Sequence, residues 1–247
     1  MRGLGKLIWV EAKLYLREPA AAFFTLIFPV GMLLLFGSIY GNEPTPLLGG
    51  YGTVDVSVPA YTAMIIATTA FVGLSITVAS YRERGVLRRL GITPLRPEAV
   101  LAAQVAVLLV MTALGMVLLI IEGKLVYGLH FLGNPASVFL AFVLSCLSMF
   151  ALGFVLAGLA PTARSAQVIG MGIFYPMIFL SGAGFPRELL PETIRKYSVV
   201  LPLTHVVTLL KGLWLGDSWG QHLTEVVVLL ALLALGVAVS SRTFRWE

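Results

Sequence analysis

Long apolar runs alternate with short polar stretches along the whole chain. Six of these runs are long enough to cross a bilayer as helices, which takes ~20 residues each. They fall at 20–40, 59–80, 99–121, 135–159, 166–180 and 223–241. The last has the shortest charge-free core, 226–241, and still spans. Each run is continuously apolar instead of alternating, so the pattern predicts helices, not barrel strands.

Two segments depart from this rhythm. In residues 3–18, a period of 3.6 puts Arg2, Lys6, Lys13 and Arg17 on one stripe and Leu4, Ile8 and Tyr15 opposite. Pro19 then separates the segment from the first span. This predicts an amphipathic helix over residues 1–18, lying in the membrane interface with Trp9 and Tyr15 at headgroup depth. Glu11 and Glu18, seven apart, form an acidic edge beside its apolar face. Residues 181–215 are too polar and proline-rich to span, although 199–210 is mostly apolar. They predict a re-entrant hairpin at the outer side before the last helix, with a loop at 216–221.

Composition narrows the class. With 247 residues, 58% hydrophobic, and a mean hydropathy of +0.94, a soluble domain would expose too much apolar surface. The expected class is all-α: a polytopic membrane protein forming one domain over 1–247, with no room for a second, soluble one. The one cysteine, Cys146, excludes a disulfide framework. His130, His205 and His222 are far apart, so no metal site is expected. Lys6, Glu11, Lys13, Arg17 and Glu18 interrupt the stretch where a signal-peptide core would begin.

Charge sets the orientation. With the N-terminus in the cytoplasm, twelve of the 17 Lys and Arg residues face inward. Five face outward: Lys124, Arg187, Arg195, Lys196 and Lys211. Both termini are therefore expected inside a multi-pass protein of the cytoplasmic (inner) membrane. The densest cationic stretch is 81–97, YRERGVLRRLGITPLRP, between the second and third spans. From charge alone, its arginines anchor the topology.

Catalytic chemistry is missing from the pattern. Gly123-Lys124 lacks the upstream glycine and following hydroxyl of a phosphate loop. There are no paired carboxylates inside a span, no His-Glu zinc motif and no nucleophile elbow. The chain is expected not to be an enzyme by itself. The scarcity of ionisable groups in the spans also disfavours an ion-coupled transporter. Glu122 and Lys124 read as an interfacial pair closing the third span. Gly37 and Gly41 have a spacing that permits close helix approach, and Pro176 is placed to kink the fifth span.

Tyr81-Arg82-Glu83-Arg84-Gly85-Val86-Leu87, then Leu90 and Thr93-Pro94-Leu95, resembles the loop signature of ABC-2 type transporter permeases. Gly182, Phe185-Pro186, Leu190-Pro191 and Pro202-Leu203-Thr204 resemble the family's second pattern, between the fifth and sixth spans. The six-span layout and amphipathic start also match, so the resemblance covers the whole chain. Arg88 departs from it, since many relatives carry an acidic residue there. The resemblance implies an ABCG-like, ABC-2 fold. It implies an exporter membrane subunit that pairs with a second permease chain, as a homodimer or heterodimer, among membrane lipids, with no nucleic acid. ATP and Mg would be bound by two separate ABC ATPase subunits. Arg82, Glu83, Arg84, Gly85, Leu87 and Leu90, with Glu11 and Glu18, would couple to them. Arg82–Leu90 can form two helical turns with Glu83, Leu87 and Leu90 on one side, ended by Pro94. Phe24, Phe28, Tyr61, Phe71, Phe174 and Phe179 are the pathway candidates; packing or lipid contact is the alternative for each. The expected cargo is a hydrophobic or amphiphilic small molecule, drug-like or lipid. A lipid-linked glycan is the alternative within the family, and a stand-alone channel or secondary transporter the alternative outside it.

Overall fold

The computed structural model describes residues 2–16, 19–86, 97–185, 187 and 190–243. Among them, six helices are long and apolar enough to cross a membrane. The first helix, α1 (Arg2–Leu16), precedes these spans. The spans are α2 (Phe23–Tyr40), α3 (Thr53–Glu83), α4 (Pro97–Tyr127), α5 (Pro135–Leu159), α6 (Ala163–Ser181) and α9 (Leu223–Thr243). Between α6 and α9, α7 (Glu192–Ser198) and α8 (Pro202–Trp214) form a pair bent by 97°. The bend is held by hydrogen bonds. Thr204 Oγ1 donates to Ser198 O at 2.6 Å, and His205 Nε2 lies 2.9 Å from Val199 O.

Helix boundaries follow local chemistry where the signal is local. Asn134 caps α5, accepting from the amides of Ala136 and Ser137, and Pro135 fits the first turn. Thr162 and Ser165 form a capping box at the start of α6. Two spans are longer than their apolar cores predict. The second starts at Thr53, not residue 59, because Asn42 Oδ1 accepts from the amides of Val54 and Asp55. The cap comes from eleven or more residues upstream, out of reach of any local pattern. Helix α4 runs past Glu122 and Lys124 to Tyr127 before Gly128 turns it at φ +65°.

The core is centred on α3, which is buried along most of its length. Helices α2, α4, α5, α6 and α8 all pack against it. Midway, residues Thr69–Leu74 widen into a π-turn. The widened backbone nearly touches two glycines. A Cβ on Gly153 would meet Ala70 O, and one on Gly170 would meet Phe71 O. These absent side chains let α5 and α6 close on α3. The alternating spans leave two ends: a near end carrying α1, and a far end carrying the turn at 128–134.

Candidate functional site

At the near end, the second span terminates inside the cationic stretch. The amide of Arg84 bonds to Ser80 O, and Gly85 turns the chain at φ +64°. Arg82 and Glu83 therefore finish α3 and do not open a separate two-turn helix, which corrects the expected Arg82–Leu90 element. Gly85 is required because a side chain is strained at that φ. Glu18, Leu87 and Leu90 lie outside the described residues.

Arg82 and Glu83 hold the turn between α5 and α6. Arg82 Nη1 donates to Gly158 O at 2.8 Å, and its Nη2 donates to Ala160 O. Glu83 Oε2 accepts from the Ala163 amide at 2.9 Å. A carboxylate at this helix start meets unpaired amides and the positive end of the α6 dipole. The end of the second span is thus bonded to the start of the fifth. Arg84 is exposed beside them.

Helix α1 is tied to the same end. Tyr15 Oη donates to Thr25 Oγ1 at 2.7 Å. Tyr81 Oη lies 3.0 and 3.1 Å from the two carboxylate oxygens of Glu11 and donates to them. Glu11 and Tyr15 are buried, one turn apart, while Trp9, Val10 and Leu14 on the other faces are exposed. Glu11, expected on an acidic edge beside the apolar face, is buried instead, and Tyr15 packs inward against Thr25. Burial raises the Glu11 carboxyl pKa above its ordinary value, and the Tyr81 hydrogen bond partly opposes that rise. Lys13 Nζ sits 5.3 Å from the Trp9 ring centroid, a cation–π contact on the exposed face.

The six pathway candidates do not share one surface. Tyr61, Phe71 and Phe174 are buried in the helix core. Phe24 and Phe28 on α2 and Phe179 on α6 are exposed. Phe179 stacks on Phe185 at 6.1 Å, and Phe185 meets Phe36 edge-on at 6.2 Å. This exposed aromatic set joins α2 to the end of α6.

Two smaller expectations also change. Glu122 and Lys124 do not pair: the Glu122 oxygens are buried with no hydrogen-bond partner, and residues two apart on a helix face different ways. Gly37 does not form a helix-pairing surface with Gly41. It receives the Tyr127 ring of the same chain, whose Oη donates to Leu34 O at 2.8 Å, while Gly41 ends α2 at φ +66°.

Several residues that build the two ends carry no signal of that role in the sequence. Tyr81 opens the loop signature without any hint of its contact with Glu11, and Gln104 is a polar residue within the apolar run 99–121. Asn42, Asp55 and His130 converge at the far end from three separate loops or helix ends. Asn42 Nδ2 donates to Asp55 Oδ1 at 2.9 Å, and the His130 amide donates to the same oxygen at 2.8 Å. His130 Nδ1 lies 3.3 Å from Asp55 Oδ2. A lone Asn between Gly41 and Glu43 gives no hint of such a role.

Comparison with known proteins places this architecture. The family model described as ABC-2 type transporter matches residues 3–214. The chain is 27% identical over 162 residues to the "Probable multidrug ABC transporter permease YbhR" of Escherichia coli (strain K12), covering 65% of this chain and 44% of that protein. It is 26% identical over 156 residues to the "Inner membrane transport permease YhhJ" of the same organism, covering 60% and 41%. Over 99 residues it is 30% identical to "Nodulation protein J" of Rhizobium leguminosarum bv. viciae, covering 40% and 38%. The chain thus spans less than half the length of these curated relatives. With six membrane-spanning helices in this arrangement and a family match across most of its length, the chain belongs to the ABC-2 type transporter family.

Proposed function

We propose that the chain is the membrane subunit of an ATP-driven exporter for a hydrophobic or amphiphilic small molecule. One relative, named as a probable multidrug permease, supports the cargo class. Two such subunits pair around a shared path, and two separate ATPase subunits dock from the cytoplasm. ATP and Mg belong to those subunits. The near end faces the cytoplasm under the positive-inside rule.

The observation that carries this reading is the double grip of Arg82 and Glu83 on the α5–α6 turn. A push on the segment after Gly85 reaches α3 directly. Through Arg82 and Glu83 it also reaches the start of α6, so both helices move as one unit. Helix α6 carries Phe179, and α2 carries Phe24 and Phe28, the exposed aromatics suited to an apolar cargo. The Glu11–Tyr81 contact keeps α1 attached to the same unit.

Co-expression with candidate ATPase subunits tests this. A complex with ATPase activity is expected to survive extraction in mild detergent. In vesicles, Glu83→Gln should lower the amount transported per ATP several-fold while leaving insertion and hydrolysis in place. A chain that captures no ATPase, yet moves solute or ions alone, overturns the proposal.

A further inference from the structure

Between α1 and the near halves of α3 and α4 lies a cavity of about 490 Å³. Glu11, Tyr81, Arg84 and Gln104 line its polar side. Ile76, Val107 and Leu108 line its apolar side. Two features of the polar side lack an internal explanation. Gln104 is 4% exposed, and its Oε1 has no hydrogen-bond partner. Glu11 is 8% exposed, and both its oxygens are served by the single Tyr81 hydroxyl. A carboxylate has about four acceptor positions and an amide oxygen two, and among the described residues the Tyr81 hydroxyl is the one donor seen on Glu11 while the Gln104 oxygen has none. A buried acceptor without a donor is costly, and in native structures it points to a missing partner.

The missing partner has a definable chemistry. It must donate several hydrogen bonds, because acceptors from two helices face the same space. Positive charge suits it, because Glu11 is a buried acid. Water would satisfy Gln104 but brings no positive charge to Glu11. The apolar wall and the neighbouring interfacial helix favour a group carried on a hydrocarbon chain.

We propose that this cavity binds the primary ammonium of an amphiphile, with Glu11 and Gln104 as its acceptors and the Ile76–Val107–Leu108 wall against its chain. A quaternary ammonium, which has no N–H, is excluded from the same hydrogen bonds. Two sources share this chemistry. One is the ethanolamine headgroup of a phospholipid, whose phosphate would lie towards Arg84. The other is a single-chain amine. Binding is independent of transport and is read on the full chain alone.

The test compares dodecylamine with dodecyltrimethylammonium on the full chain by native mass spectrometry from detergent. The primary amine is expected to bind about tenfold more tightly, the scale of one charge-assisted hydrogen bond. Glu11→Gln and Gln104→Leu should each weaken the primary amine about tenfold and leave the quaternary one unchanged. Displacement of dodecylamine by phosphatidylethanolamine, but not by phosphatidylcholine, assigns the lipid headgroup as the source. Binding that persists against phosphatidylethanolamine assigns a single-chain amine. Equal binding of the two amines to the native chain overturns the proposal without any variant. Native affinity in both variants overturns it as well.

Discussion

The central helix α3 begins and ends in opposite ways. At its far end, Asn42, Asp55 and His130 match donors to acceptors: Asp55 is buried, and its two oxygens face Asn42 Nδ2, the His130 amide and the His130 ring. At its near end, the Gln104 oxygen has no hydrogen-bond partner and Glu11 meets the Tyr81 hydroxyl, beside a cavity of about 490 Å³. Yet one residue after Tyr81, Arg82 and Glu83 are engaged again, on the α5–α6 turn. A satisfied polar cluster fixes geometry, because any displacement strands a buried charge. An unsatisfied one tolerates displacement and invites a ligand. The far end is built as an anchor and the near end as the place where something else binds.

The strongest challenge to that contrast is Asn42→Ala. It strips the cap from Val54 and Asp55 and a donor from a buried carboxylate, for an expected loss of about 3 kcal/mol in detergent unfolding. A loss below about 1 kcal/mol would mean the far end is no anchor. Gly170→Ala probes the point where α6 meets the π-turn between the two ends. Its new methyl meets Phe71 O, and the expected cost is about 1–3 kcal/mol, seen as a lowered melting temperature. An unchanged melting temperature would show that α6 can slide without penalty.

The smallest effect concerns pH at the near end. The folded-state pKa of Glu11 is raised above 4.5 by burial. The folded chain therefore holds this proton more tightly than the unfolded chain does. The group's contribution is most favourable below the unfolded pKa and declines as pH rises through the raised folded value. Tyr15, Tyr81 and Arg84 are the other titratable groups that line the same cavity among the described residues. Glu11→Gln should flatten the acid-to-neutral slope and raise the melting temperature at neutral pH by about 2 °C or less. A variant that keeps the native slope would assign the pH dependence elsewhere.

Much of this architecture is legible in the sequence. The span from 135 to 159 was exact because Asn134 and Pro135 are adjacent capping signals and the run ends where the apolar residues end. The bent pair α7–α8 falls within 181–215, where a polar, proline-rich segment encloses the apolar stretch 199–210. The grip of Arg82 was not legible. A guanidinium in a cationic loop looks the same whether it faces lipid headgroups, a partner, or the carbonyls of Gly158 and Ala160.

The residue order by itself determined the class, the number of spans and their approximate ends. Water and hydrocarbon sort residues by polarity over windows of about 20, and that sorting needs no partner. Only the tertiary structure decided which polar residues meet. Asn42 caps a helix that starts eleven residues later, Tyr81 reaches Glu11 across 70 positions, and Arg82 reaches Gly158 across 76. Hydrogen bonds act over about 3 Å and are indifferent to separation along the chain. The same limit decided which aromatics are core, as with Tyr61 and Phe71, and which remain exposed, as with Phe28 and Phe179. Hydrophobicity is identical in both settings; only the packing of neighbouring helices separates them.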